Sequence, residues 1–383
     1  MNQNESKIIF LMASRTGGPL IPLLALKDDL KMAKPELKFV IVGIKSGVEE
    51  KLAILEKLSL IFLPEVKNRS ANLRFKGFFG KILQKLENLI LLLWTLLGLS
   101  FSFCLSVFFL LKFRPKLILS TSNFLSVPMI WAAAFLNLFY SQNRKIKIAI
   151  HLLDPQNHTI KLTKSFADLL TTSFVQMAKK LGSKAIVVPG PIRHRLFEQY
   201  SKHEAKLKLV EAGLIEKESL DKPLFLIFGG GSGAKYINDW VEENAAQLTK
   251  VSTVLHLTGF LRENSPKNNR NHFYQTNGLT DLMPVALVAS DLVMARAGMS
   301  SSCELLYLEK PAFIVPIPDS HQVQNAALVQ KYFQILEQKD SQTWLSTILK
   351  EIESGFEFSK KVEWDVYTQR NNQKYVDLLL SLL

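Results

Sequence analysis

Residues 224–238 read Leu224-Phe-Leu-Ile-Phe-Gly-Gly-Gly-Ser-Gly-Ala-Lys-Tyr-Ile-Asn238. Five apolar residues, a loop of nearly bare backbone and a stretch that turns to helical spacing make a strand, a tight turn and a helix. The same rhythm surrounds it. Short apolar runs separated by helix-length stretches occur at Lys7–Met12, Lys38–Gly43, Ser59–Leu63, Leu117–Ser120, Ile146–Ile150 and Leu169–Phe174. After Pro189 they resume at Leu224–Phe228, Val251–Leu257, Asp291–Ala295 and Ala312–Pro316. Strands alternating with helices build parallel sheets covered on both faces, so the fold class is α/β. Two such series in 383 residues imply two Rossmann-like domains. The join falls near Pro189-Gly-Pro-Ile-Arg193, where two prolines and a glycine stop any helix. The expected division is 1–190, 191–365 and a closing helix within 366–383.

Charge is divided unevenly between the halves. Residues 1–195 hold 28 Lys+Arg against 11 Asp+Glu, a net of +17, while the remainder holds 19 against 23, a net of −4. A field of that sign suits an anionic lipid surface or a phosphorylated substrate. No zinc-finger, helix-turn-helix or RNP-like pattern accompanies it, so nucleic acid is not an expected partner. Two cysteines, Cys104 and Cys303, give neither a disulfide framework nor a metal spacing and suit a reducing cytoplasm. The first apolar run, Ile8 to Ala13, is too short for a signal-peptide core and reads as a strand.

Residues 89–111 carry no charge at all and are long enough to span a bilayer. Strands on either side of this segment must share one sheet, which a single crossing forbids. Just upstream lie Lys67, Arg69, Arg74, Lys76, Lys81 and Lys85, with no acidic residue from Val66 to Leu86. A basic patch beside an apolar helix is how a protein sits on an anionic leaflet. The expectation is in-plane contact over Asn88–Phe113; burial as core helices, and a true span, are the alternatives.

The chemistry-bearing segments lie mostly in the second half. The loop Gly229–Ala234 imitates a dinucleotide fingerprint, yet no acidic residue occurs between Asn244 and Arg262, where that motif needs one for the ribose. The remaining readings are a plain structural turn or a cradle in which Gly230, Gly231, Ser232 and Gly233 offer backbone N–H groups to a diphosphate. Arg193 and Lys235 would add charge to such a cradle, or are ordinary solvated residues. Arg296-Ala-Gly-Met-Ser-Ser-Ser-Cys-Glu304 ends in a carboxylate that can accept both hydroxyls of a ribose. Expected at the start of a helix, Glu304 is explained equally by the helix dipole. Asp319-Ser-His-Gln-Val-Gln-Asn325 follows a strand end, and its His321, Gln322 and Asn325 can donate to phosphate and sugar.

These segments together resemble the MurG family, inverting transferases that move N-acetylglucosamine from its UDP donor to undecaprenyl-linked lipid I. The family's Gly-Gly-Ser-Gln-Gly-Ala-Arg is similar to Gly229–Lys235, its Arg-Ser/Ala-Gly-Ala-x-Thr-x-x-Glu to Arg296–Glu304, and its Asn-His-Gln-x-x-Asn-Ala to Ser320–Ala326. In the first half Thr16-Gly-Gly-Pro-Leu-Ile-Pro22, Ser122–Pro128, His151-Leu-Leu-Asp154 and Pro189–Arg193 follow the family order. The resemblance implies a GT-B fold, with two domains facing across a cleft and the last helix packed back on the first. It implies a UDP-sugar donor held by Arg193, Gly230, Gly231, Ser232, Gly233, Leu279, Glu304, His321, Gln322 and Asn325. Thr16, Gly17 and Gly18 form the acceptor-side loop. UDP-N-acetylglucosamine enters as substrate, so no cofactor is expected, and no Asp-x-Asp pair suggests a metal. The implied location is the cytoplasmic face of the cell membrane, peripherally attached.

Two departures bear on catalysis. The family's first loop ends in a histidine that is a leading candidate for the general base, and here that position is Pro19. In its His-Glu-Gln-Asn segment the middle residues are Leu152 and Leu153 and the last is Asp154. Asp154 is the first candidate for a replacement base, with His151 and His158 after it. The competing expectations are transfer to another membrane lipid, or a sugar-nucleotide-binding protein that has lost catalysis.

Overall fold

A computed structural model of the chain describes residues 7–13, 17–45, 48–64, 78–155, 159–231, 233–259, 271–279, 281–356, 358 and 372–383. In the first domain β1 (Ile8–Met12), α1 (Gly17–Ala33), β2 (Lys38–Gly43), α2 (Val48–Leu55) and β3 (Ser59–Phe62) are followed by the long helix α3 (Phe78–Phe113). Then come β4 (Leu117–Ser120), α4 (Ser126–Asn137), β5 (Lys147–Leu152), α5 (Ile160–Thr163), β6 (Leu169–Thr172), α6 (Val175–Leu181) and β7 (Ala185–Val187). Among the described residues these strands form one parallel sheet in the order β3-β2-β1-β4-β5-β6-β7.

The second domain opens with α7 (His194–Glu198) and α8 (Lys202–Glu211), then β8 (Leu224–Phe228), α9 (Lys235–Val251), β9 (Thr253–Leu257), β10 (Phe273–Thr276) and α10 (Met283–Ala289). It continues through β11 (Leu292–Arg296), α11 (Met299–Tyr307), β12 (Ala312–Val315), α12 (His321–Val329), β13 (Gln334–Ile335) and α13 (Trp344–Glu353). Its strands form a second parallel sheet, β10-β9-β8-β11-β12-β13. The expected two Rossmann-like domains are both present. Strands β7, β10 and β13 add to those read from the apolar runs.

The packing follows from the pattern of the chain. Every residue of β4, β8 and β9 is buried, as strands covered on both faces require. In α9 the buried positions Ile237, Trp240, Val241, Ala245 and Leu248 fall at helical spacing and make one apolar stripe. One apolar cluster runs from Phe10 and Ile150 in the first sheet through Ile192 and Phe197 into Leu226 and Ile314 of the second. The last helix, α14 (Gln373–Leu380), returns to the first domain, where Tyr375, Val376 and Leu379 join Leu20, Leu23 and Leu24 of α1 in a separate cluster.

Helix α3 corrects the alternative that both apolar helices are core elements. Its partner α4 is mostly buried, at Val127, Met129, Ile130, Ala133 and Leu136 among others. By contrast the first half of α3 stands out from the domain, with Trp94 67% and Leu97 63% exposed and Leu89, Leu92 and Leu93 exposed beside them. Its second half packs on α4 and the core through the buried Ser102, Ser106 and Leu110 and through edge-to-face contacts of Phe103 with Phe135 and Phe113 with Phe10, while Phe101 and Phe108 stay exposed on its outer side. Both ends of α3 feed the same sheet, since β1 pairs with β2 on one side and β4 on the other. The helix therefore cannot cross a bilayer once while the sheet stays whole. Of the basic run before it, residues 65–77 and the side chains of 78–86 lie outside the described residues.

Leu379 is fully buried against α1 although it lies nearly 200 residues beyond the hinge. Leu379→Ala is expected to destabilise the first domain by about 2–5 kcal/mol, the usual effect of emptying a leucine site. Domain-resolved hydrogen exchange during urea unfolding checks it: the first sheet should open at lower urea, and the second at its wild-type midpoint.

Candidate functional site

Parallel strands deliver their following loops to one edge of a sheet, and here the two carboxyl edges face each other across a cleft. From the first sheet come the start of α1, the turn after β4 and the segment after β5. From the second come the glycine loop after β8, the start of α11 and the start of α12.

The glycine loop is built for close approach. Gly230 and Gly233 have φ of +83° and +76°, a region in which other residues are strained. A Cβ on Gly233 would lie 2.1 Å from the carbonyl oxygen of Thr258, whereas one on Gly230 or Gly231 would meet nothing within 4 Å. The first fact fixes the loop against the end of β9; the second leaves open space beside its backbone. Ala234 caps α9, so the N-terminus of a 17-residue helix follows the loop directly. Ser232 lies outside the described residues. Lys235 is exposed and paired with Asp239 one turn on.

Behind this loop runs a chain of buried polar groups that sequence reasoning did not assemble. Asn238 donates its amide to the carbonyl of Thr258 at 3.0 Å and turns its oxygen to Nε2 of His256 at 3.1 Å. Gln275 donates to Nδ1 of His256 at 3.2 Å and to Glu242 at 2.6 Å. These partners place the imidazole proton on Nε2. Burial holds His256 down to about 4, so it stays neutral. The chain ties the first turn of α9 to β9 and β10, and so holds the glycine loop in place.

Glu304 lies well inside α11, past the first turn, which begins at Met299. The expectation of a carboxylate at the helix start is corrected: at that depth the helix dipole no longer explains it. Burial raises Glu304 to about 7, with the positive charge of Arg193 pulling the other way. Among the described residues no hydrogen-bond donor meets its carboxylate. Arg193 is turned toward the first domain, bonded to Glu56 and 3.6 Å from Asp28. Burial would raise Glu56, but hydrogen bonds from Lys27 and Arg193 prevail and hold its carboxyl below the usual range. Arg193 thus ties the segment between the domains to the first domain, and its charge reaches Glu304 without a hydrogen bond.

Ser320 caps α12 and accepts from the amide of Gln322 at 3.2 Å. His321 is exposed at the first position of the helix, and Gln322 turns its oxygen to the amide of Ile317, also at 3.2 Å. Asn325 is fully buried and uses both amide hydrogens, one on the carbonyl of Ala297 at 2.9 Å and one on Oδ1 of Asp154 at 2.8 Å. The second of these crosses the cleft. Leu279 is half-buried, packed against the apolar cluster between β10 and α10.

On the acceptor side Thr16 lies outside the described residues, and Gly17 and Gly18 form the first turn of α1 instead of a loop. Pro22 sits inside that helix and has no N–H for the carbonyl of Gly18 four residues earlier. The hydroxyl of Ser300 in α11 donates to that carbonyl instead, at 2.9 Å, a second direct tie across the cleft. His158 is outside the described residues. His151 is fully buried, with Nδ1 2.9 Å from the hydroxyl of Thr171 and Nε2 3.2 Å from that of Ser173. Burial brings it down to about 3. This is the geometry of a satisfied core histidine. Asp154 remains half-buried at the cleft, two residues past the end of β5. Among the described residues no group of three or more His, Cys, Asp or Glu side chains could hold a metal.

Comparison with known proteins bears on what such a cleft does. Residues 224–376 match the glycosyltransferase family 28 C-terminal domain. The chain is 27% identical over 369 residues to the UDP-N-acetylglucosamine--N-acetylmuramyl-(pentapeptide) pyrophosphoryl-undecaprenol N-acetylglucosamine transferase of Clostridium botulinum (strain Langeland / NCTC 10281 / Type F), covering 92% of this chain and 91% of that one. It is 30% identical over 322 residues to the enzyme of the same name from Anaeromyxobacter sp. (strain Fw109-5), covering 81% of this chain and 75% of that one. The crystal structure of Acinetobacter baumannii MurG superposes with a TM-score of 0.63 at 17% identity, over 98% of this chain and 99% of that one.

Gly233→Ala should force the loop off Thr258 and weaken UDP binding by at least tenfold, because its methyl has no room and its φ is strained. Gly231→Ala meets open space and should leave the melting temperature within about 2 °C of wild type. Calorimetric titration with UDP and thermal melting of both variants check the contrast.

Proposed function

The chain belongs to the MurG family of glycosyltransferases, and we propose that it moves N-acetylglucosamine from UDP-N-acetylglucosamine to lipid I, the undecaprenyl-linked acceptor of peptidoglycan synthesis. The observation that carries this reading is the convergence of an open glycine loop, a half-buried carboxylate at Glu304 that no donor meets among the described residues, and the start of α12 on one edge of the second sheet. The diphosphate lies along Gly230–Gly233 against the N-terminus of α9, where backbone N–H groups and the helix dipole stabilise the leaving UDP. Glu304 receives the ribose hydroxyls. His321 and Gln322 stand at the third corner, over the phosphate and sugar.

Inversion needs a single displacement. The acceptor hydroxyl oxygen bonds to the anomeric carbon, the bond from that carbon to the β-phosphate oxygen breaks, and UDP leaves with the electron pair. The hydroxyl proton goes to a base within hydrogen-bond reach. Pro19 cannot take it, and in this reading Asp154 does. Loss of the base from an otherwise intact site should lower turnover by roughly 10²–10⁴. UDP release from purified protein supplied with UDP-N-acetylglucosamine and lipid I tests the assignment. Asp154→Asn should bind donor normally and turn over slowly. Donor binding without any UDP release by the wild-type chain would make it a binding protein instead.

Glu304 carries a linked proton. Its value near 7 leaves the free site partly protonated at neutral pH, while ribose hydroxyls donate to the ionised form. UDP binding at pH 6.5 should therefore release a fraction of a proton and tighten as pH rises toward 8. Calorimetry in buffers of different ionisation enthalpy reads that release, and Glu304→Gln should abolish it. Losing the charge-assisted bonds in Glu304→Ala should weaken UDP by about 1–3 kcal/mol.

Peripheral attachment to the cytoplasmic face of the membrane is part of this reading, and α3 supports the attachment. Its exposed apolar side suits the boundary between headgroups and acyl chains, and the net +17 of residues 1–195 suits anionic lipid. Binding to vesicles containing phosphatidylglycerol should weaken from 0.05 to about 0.5 M salt as the charges are screened. Leu93→Asp together with Leu97→Asp should lower it at every salt concentration.

A further inference from the structure

We propose that Asn325, a residue of the second domain, is the positioning group for the carboxylate of Asp154 in the first, so that the base is aimed only when the cleft is closed. This rests on the reading of Asp154 as general base and assigns Asn325 a role other than gripping the donor.

Asn325 has two amide hydrogens, and both are committed. One is anchored within its own domain, on the carbonyl of Ala297, itself fully buried in the turn after β11. The other reaches Oδ1 of Asp154 at 2.8 Å. Because both neighbours are acceptors, the amide cannot be reversed without setting oxygen against oxygen. Its own oxygen is buried with no partner among the described residues. Buried acceptors are rarely left so, and here the vacancy follows from pointing the nitrogen at Asp154. Asn325 has no hydrogen left for a phosphate or a sugar in this arrangement.

The pair is also a product of domain geometry. Asp154 follows β5 and Asn325 lies in α12, so their bond exists only while the two sheets stand at this distance. Oδ1 is held by the amide, and proton transfer needs only the other oxygen. The acceptor's hydroxyl proton passes to Oδ2 as its oxygen bonds to the anomeric carbon and UDP leaves. In an open cleft the same carboxylate is free to rotate, which separates base orientation from mere presence of the base. Ser300 reaching the Gly18 carbonyl supports the same closed arrangement from α11.

The test is a double-variant cycle on the full chain, with UDP-N-acetylglucosamine and a short-chain polyprenyl analogue of lipid I. Asn325→Ala should lower kcat roughly 10- to 100-fold, the scale for a misaimed reacting group, with the donor KM within about twofold of wild type. In the Asp154→Asn background it should produce no further loss, since there is no base left to aim. Asn325→Asp, which sets a like charge against Asp154 at nearly constant volume, should reproduce the fall in kcat and serves the cycle if Asn325→Ala does not fold. A tenfold rise in donor KM with kcat unchanged, or losses that multiply in the double variant, would overturn the positioning role while Asp154 keeps its own. Wild-type turnover by Asp154→Asn would remove the base reading first, and this inference with it.

Discussion

The relative placement of the two sheets hangs on a contact with no slack in it. At the crossing between domains Gly190 lies so close to Cys303 of α11 that a Cβ there would sit 2.5 Å from the sulfur. Three residues on, Arg193 is fastened to Glu56 and flanked by Asp28, and Asn372 at the foot of α14 donates to Asp29 and to the carbonyl of Ile192. The hinge is thus gripped by α1, α11 and α14 together. Cys303 belongs to the same helix as Glu304 and Ser300, so what fixes the hinge also fixes where the carboxylate and the cross-cleft hydroxyl point. Cleft geometry, the candidate donor site and the Asp154–Asn325 pair all inherit their spacing from that packing.

Much of the architecture was legible because the strands are buried on both faces and read as plain apolar runs. The strands that escaped notice are those that break this rule for a reason. Strand β10 carries Gln275, a polar residue that is nevertheless buried because it completes the chain through His256 and Asn238. Strand β7 is a three-residue edge, half-buried throughout, and β13 has two residues. The site was legible in its parts. Glycine loop, carboxylate and amides were each visible, but their partners were not, since Arg193 with Glu56 and Asn325 with Asp154 join residues 137 and 171 positions apart across the domain boundary. Glu304 was misplaced by half a helix because Ser300, Ser301 and Ser302 look like a turn, although buried neighbours make them helical.

The departure at Pro19 sits beside a tie to the other domain. Pro19 removes the expected proton acceptor, while Pro22, further along the same helix, has no N–H and so leaves the Gly18 carbonyl for Ser300. What was an acceptor-side loop in the resemblance is here the first turn of a helix tied to the opposite domain. The carboxylate of Asp154, in the loop after the fifth strand, is held from that same opposite domain by Asn325.

Helix α3 has a consequence for how the protein is made. It is synthesised between β1 and β4, which must pair with each other, so the sheet cannot close until the apolar helix has already left the ribosome. A charge-free run of that length is what the membrane-insertion machinery accepts. Insertion would strand β4 through β7 on the far side of the bilayer and abolish the domain. Leu110, Ser102 and Ser106, all fully buried in the second half of the helix, hold it on the folded domain, so a closed domain has that half withdrawn from any such insertion. For this domain folding and a single-pass insertion are mutually exclusive outcomes, because only one of them leaves β4 beside β1.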